Sequence, residues 1–252
     1  MLKFIFRISL AAVALACLLP AAAQDLSGAE LMAKYFHRTK PKTEITTMVM
    51  TITKNGASLT RTMMNWGTGD NAKGEVERRV VKFLAPGDIK GSGFLTSKKV
   101  DGSTESQLWL PALGKVRRLG SGASDQDSAF FGSDFTNRDI SGFVEADFTY
   151  TLLSTANNTA TIEAKPKKEM GYERLVYSLD LGDFAARKIE YYKAGKLAKA
   201  QVLTLEKVGA YLLPSLIVMT STSGSKTELK VSDQKVDQDV SDATFTERFL
   251  KQ

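Results

Sequence analysis

The stretch TTMVMTITKNGASLTRTM, residues 46–63, decides the fold. Met48, Met50 and Ile52 alternate with Thr47, Val49, Thr51 and Thr53, the two-residue period of a strand whose successive side chains point to opposite faces. Asn55-Gly56 tolerates the positive φ of a type I′ turn, so the chain is expected to fold back there as a hairpin. Folding about that turn sets Ile52 opposite Leu59, Met50 opposite Arg61 and Met48 opposite Met63, and one face becomes rich in methionine.

Beyond the hairpin, strands are predicted at 75–84, 94–100, 105–110, 115–119, 147–154, 159–165, 173–181, 186–193, 197–207, 212–222 and 226–234. Turn residues at Asp101-Gly102, Asn157-Asn158, Ala194-Gly195 and Gly224-Ser225 separate them. Connections this short require antiparallel neighbours, because a parallel pair needs a crossover of about a dozen residues or more. The sheet is therefore expected to be a meander.

Before the hairpin, Ser27 and Glu30 have the spacing of a capping box, and Leu31, Met32, Tyr35 and Phe36 form an apolar helical stripe. Pro41 ends this helix, giving a span of 28–39. Shorter helices are expected near 124–132 and from 242 to 250, the latter capped by Ser241 or Asp242. An α+β fold follows, a large curved sheet with helices on one side. Two glycine-rich loops interrupt it, PGDIKGSG at 86–93 and GSGASDQDSAFFGSDFT at 120–136, and the aromatic pair Phe130 and Phe131 makes the second a candidate lid.

The 252 residues are 43% hydrophobic, 25% charged and 9% aromatic, which excludes a disordered chain, a collagen-like repeat and a polytopic membrane protein. Residues 1–23 have the pattern of an export signal: Lys3 and Arg7, an apolar run too short to span a bilayer, then Ala21, Ala22 and Ala23. Cleavage is expected between Ala23 and Gln24, leaving 24–252 as a single domain. Cys17, the one cysteine, falls inside this segment, so residues 24–252 hold no thiol; lipidation of Cys17 is the lesser alternative. Export removes nucleic acid as a partner despite a net charge of +6.

The single histidine, His37, provides for neither a nucleophilic triad nor an imidazole metal site, and it is read as a surface or partly packed residue. The 86–93 loop lacks the ending of a phosphate-binding loop and leads into a strand. Asp125, Asp127, Asp134 and Asp139 could supply paired carboxylates for glycoside hydrolysis, but the favoured reading makes them helix caps and loop solvation. No enzyme activity, cofactor or metal is expected. A binding or carrying body remains.

Three runs then bear on family: FLAPGDIKGSGFL at 83–95, LWLPALGKVRRL at 108–119 and FGSDFTNRDI at 131–140. With the leading helix and the Asp101-Gly102 turn followed by Trp109-Leu110-Pro111, they resemble the outer-membrane lipoprotein-sorting protein family, the LolA-like periplasmic proteins. The resemblance implies an incomplete antiparallel β-barrel of about eleven strands, with helices closing the open, concave side over an apolar cavity for acyl chains. It implies a lid held by an arginine through backbone carbonyls, for which Arg78, Arg79, Arg117 and Arg118 are the candidates. It also suggests work beside an exporter of the resistance-nodulation-division type, in peripheral contact with membrane proteins.

The expected function is periplasmic carriage of the acyl chains of lipids or lipoproteins. The expected cavity wall comprises Leu31, Tyr35, Phe36, Met48, Met50, Ile52, Leu59, Met63 and Phe83, with Phe94 and Trp109 at the mouth and Phe130 and Phe131 as the mobile cover. The alternative from another class is a non-carrying adaptor whose interior is simply its packed core. A continuous apolar cavity favours the first and a filled interior the second.

Overall fold

The computed structural model describes residues 26–69, 75–120 and 122–252. The export signal, its cleavage point and Cys17 lie outside the described residues. Helix α1 (Gly28–Phe36) opens the fold, and both halves of the Ser27–Glu30 capping box form. It stops three residues short of expectation, with His37 as its C-cap.

Thirteen strands follow: β1 (Thr43–Lys54), β2 (Ala57–Thr68), β3 (Glu75–Ala85), β4 (Gly93–Lys99), β5 (Thr104–Leu110), β6 (Lys115–Leu119), β7 (Phe148–Ala156), β8 (Thr159–Pro166), β9 (Arg174–Asp180), β10 (Ala186–Lys193), β11 (Lys196–Val208), β12 (Tyr211–Ser221) and β13 (Lys226–Val236). They match the predicted segments one for one and exceed the eleven that the family resemblance implied. The hairpin register is as expected, with Ile52 paired to Leu59, Met50 to Arg61 and Met48 to Met63. Asn55 and Gly56 take φ of 51° and 78°, the left-handed values that the turn requires.

Among the described residues, all thirteen strands join one open sheet in the order β6-β5-β4-β3-β2-β1-β13-β12-β11-β10-β9-β8-β7. It consists of two antiparallel meanders, β1–β6 and β7–β13, joined by the pairing of β1 with β13. That pairing is what turn chemistry alone does not foresee. It leaves β6 and β7 at the two edges, so residues 120–147 must run from one edge of the sheet to the other.

Inside that connection lie α2 (Ala123–Gln126), a 3₁₀ turn at Phe130–Gly132, and α3 (Asn137–Ser141), which replace the one short helix expected near 124–132. Helix α3 is capped by a second capping box, Thr136 with Asp139. The chain ends in a 3₁₀ turn at Asp242–Phe245, capped by Ser241, and α4 (Glu247–Leu250).

Alternation gives the sheet two faces. The inner face carries the main core, including Met48, Met50, Met63, Val81, Phe83, Phe94, Ile162, Leu175, Tyr177 and Leu229. The outer face holds a smaller cluster of Val80, Leu95 and Leu250, with Trp66, Trp109, Phe245 and Phe249 around it. Here α4 docks: Trp66 and Phe249 meet edge-on at 5.3 Å, and the Lys82 ammonium donates to the Leu250 carbonyl at 2.7 Å. A Cβ on Gly93 would stand 2.7 Å from Leu250 Cδ1, so the last glycine of the 86–93 loop makes room for the C-terminal helix.

Candidate functional site

The site grows outward from the β1–β2 hairpin. Strand pairing carries its methionine face sideways, Met63 onto Phe83 and Val81 onto Phe94 in one direction, Met48 onto Val231 and Met50 onto Leu229 in the other. Met48, Met50, Ile52, Met63, Phe83 and Phe94 are all buried in one core with Leu31 of α1. Tyr35 and Phe36 pack partly buried against it, with the Tyr35 ring 5.7 Å from that of Tyr177. Burial removes Tyr35 and Tyr177 from water and raises both phenol pKa values.

Two expected wall residues are placed elsewhere. Leu59 is on the right face by register, but near the hairpin tip, and it is 42% exposed. Trp109 belongs to the outer face: Phe94 pairs with Leu108, which puts Leu108 inside and Trp109 against the α4 cluster.

The aromatic pair is also corrected. Phe130 is buried at 1% exposure, its ring 5.4 Å from Phe94 and 6.1 Å from Phe83. Phe131 is half-buried, 4.3 Å from Phe83, with left-handed backbone at φ 49°. The pair fills space above the methionine face instead of standing in solvent.

Polar bonds moor this loop on two sides. From the sheet's inner face, the Arg61 guanidinium donates to the Phe131 carbonyl. Burial lowers the Arg61 pKa, an effect opposed by the charge of Asp88, and its Nε is shielded without a hydrogen-bond partner among the described residues. On the other side, Asp134 accepts from the hydroxyls of Ser225 and Thr227. Asp139, in the α3 capping box, forms an ion pair with Lys199. The Lys199 ammonium also donates to the Asp134 carbonyl at 2.8 Å and lies over the rings of Tyr191 and Tyr172 at 5.1 and 5.3 Å. Burial, then the Asp139 charge, raises the Tyr172 pKa.

Asp125 and Asp127 serve likewise, accepting from Arg117 and Arg138. All four loop carboxylates thus act as caps or moorings. Among the described residues, cavities of 270 to 800 Å³ open at the surface, and the five most pronounced have no wall from Met48, Met50 or Met63. His37 is exposed and pairs with Glu145 at 2.9 Å.

A family model described only as an uncharacterized protein matches residues 75–252. A structure described as an outer membrane lipoprotein-sorting protein domain, from Vibrio parahaemolyticus, is similar at 25% identity and TM-score 0.81, covering 89% of this chain and 98% of that one. The chain belongs to the family of that model. A LolA superfamily protein from Nitrosomonas europaea shares the fold at 17% identity and TM-score 0.66, covering 89% of this chain and 99% of that one. A DUF1329 family protein from Desulfovibrio piger does so at 24% and 0.82, covering 88% and 97%. No curated protein matches the sequence significantly.

In this chain the arginine bonded to the loop carbonyl is Arg61, not one of the four expected. Arg78 lies on the outer face with Asp242, Arg79 pairs with Glu77 and Arg117 with Asp125, while Arg118 pairs with Gln107 in the ladder phase opposite to the core. The signal was present in the sequence, since the hairpin register puts Arg61 across from Met50. A cation within an apolar alternation is the anomaly that marks it.

Proposed function

We propose that the protein is a non-enzymatic periplasmic carrier of lipid or lipoprotein acyl chains, exported by its cleaved signal and loaded on the methionine-rich inner face. The observation that carries this reading is Arg61, a guanidinium rising from an apolar face to hold the carbonyl of Phe131 in the loop that covers that face. Half-burying a cation beside thioethers costs stability unless it serves a purpose. A releasable tether is such a purpose. Phe130 and Phe131 occupy the space that an acyl chain would take, so loading exchanges ring contacts for chain contacts. Each buried methylene contributes about 0.8 kcal/mol, and a 14-carbon chain about 10 kcal/mol gross, enough to displace two rings. Methionine suits the exchange because its flexible thioether adapts to chains of varied shape. Helix α1 and the 120–147 connection are then the cover of the concave side.

A filled interior favours the second reading, a periplasmic adaptor whose core is closed and whose edges bind an exporter, of the resistance-nodulation-division type that the family resemblance suggests. Extraction of the purified protein followed by mass spectrometry separates the two. A carrier yields copurified lipid or takes up a fluorescent fatty acid, whereas an adaptor does neither.

A further inference from the structure

A surface cavity of about 800 Å³ lies where α1 ends, between the start of β1, the inner face of β3 and β4, and residues 143–145. Phe36 and Phe143 form part of its wall and also pack against the main core, so its floor adjoins the apolar interior. The same wall carries Arg38, Lys40, Lys42, Glu77, Lys98 and Glu145. Glu77 is held ionised, its pKa lowered to about 2 because Lys98, Arg79 and Lys40 outweigh the cost of its burial. Arg79 also feels Glu44. Glu145 lies 2.9 Å from His37 Nε2, and Lys42 is matched by Asp237.

Neither Arg38 nor Lys40 has an ion-pair partner among the described residues, although the Lys40 charge reaches Glu77. Arg38 reaches into this cavity with its side chain over the Tyr35 ring, 5.8 Å from the centroid, and its Nε and Nη1 are shielded from solvent without a hydrogen-bond partner among the described residues. Counting histidine as neutral, Arg38, Lys40, Arg79 and Lys98 face Glu44, Glu77 and Glu145, an excess of one positive charge, and Lys98 itself is pushed down in pKa by burial. Shielded donors and uncompensated positive charge call for an anion, and a guanidinium fork beside a lysine matches the oxygens of a phosphate.

We propose that this cavity binds the phosphate-bearing headgroup of an amphiphile whose chains enter the apolar interior past Phe36 and Phe143. The proposal rests on the carrier reading and adds to it a headgroup class and a place for it. A phosphate diester or monoester on a lipid fits; a free phosphate ion is the other source of the same chemistry.

The test measures binding of dihexanoyl phosphatidic acid, dihexanoylglycerol and inorganic phosphate by calorimetry, to the wild type and to Arg38→Gln/Lys40→Gln. Wild type is expected to bind the phosphatidic acid at least 10-fold tighter than the neutral diacylglycerol. The double variant should reduce that preference to about 2-fold and leave diacylglycerol affinity unchanged. An equal preference in wild type and variant overturns the headgroup site while the carrier reading stands. Failure of wild type to bind either amphiphile overturns both. Tight binding of inorganic phosphate that gains nothing from acyl chains assigns the site to the free ion and overturns the lipid headgroup. Should the variant unfold, salt decides in the wild type: affinity for phosphatidic acid must fall with ionic strength and that for diacylglycerol must not, and equal salt responses overturn the proposal.

Discussion

Replacing Arg61 by methionine removes the tether and extends the thioether face by one residue of similar length. The lost bond is charge-assisted, worth about 1.5 to 3 kcal/mol. Part of that returns, because the Arg61 Nε is shielded and unpartnered among the described residues and partial burial disfavours the charged form. A net loosening of about 1 to 2 kcal/mol for residues 128–136 follows, a 5- to 30-fold rise in the open population. The contacts of Phe130 and Phe131 with Phe83 and Phe94, and the moorings of Asp134 and Asp139, are untouched. Global stability should therefore change little. Hydrogen exchange resolves the two: amides of 128–136 should exchange 5- to 30-fold faster, while those of β1, β8 and β13 keep wild-type rates. Unchanged exchange in the loop of a folded Arg61→Met protein would refute the tether, and a uniform rise throughout the sheet would mean that Arg61 stabilises the fold and not the cover.

Phe130→Ala should cost about 3 to 5 kcal/mol in denaturant unfolding, since it empties a buried site between Phe83 and Phe94; a cost below 1 kcal/mol would return Phe130 to the role of a solvent-facing cover. Asp139→Asn should lose about 3 kcal/mol by stranding the Lys199 cation between Tyr172 and Tyr191, and Asp139→Asn/Lys199→Met should recover much of it, which a thermal melt of the pair would show. Glu77 is an acid-sensitive group: its folded pKa of about 2 lies below the ordinary 4.5, so its contribution is full above pH 4.5 and is lost as pH falls from there towards 2. With 30% of the side chain exposed, the contribution is about 2 kcal/mol, and Glu77→Gln should flatten the stability–pH curve in that window alone.

The hairpin and the strand segments were legible because alternation and turn chemistry are local. Asn55-Gly56 fixes a register, and the register fixes which of Met48, Met50 and Met63 share a face. Pairing of β1 with β13 joins residues almost two hundred apart and leaves no mark in any window. Trp109 was misassigned for the same reason. Alternation says that Leu108 and Trp109 face opposite ways, but only the ladder to Phe94 says which one faces in. Phe130 looked exposed because its sequence neighbours are polar. Those neighbours turn out to bond across the sheet, Asp134 to Ser225 and Thr227 and Asp139 to Lys199, and this holds the ring inside. Helix α3 could have been found, since Thr136 and Asp139 have capping-box spacing.

The central claim is that an acyl chain lies against the methionine face, and the methionine methyl resonances report it directly. Met48, Met50 and Met63 point to the inner core, whereas Met64, the residue next to Met63 on β2, points to the other face. A spin-labelled fatty acid added at one equivalent should broaden the methyl signals of Met48, Met50 and Met63 and leave that of Met64 sharp. Sharp signals from all four, or broadening of Met64 equal to that of Met63, would contradict carriage in this interior.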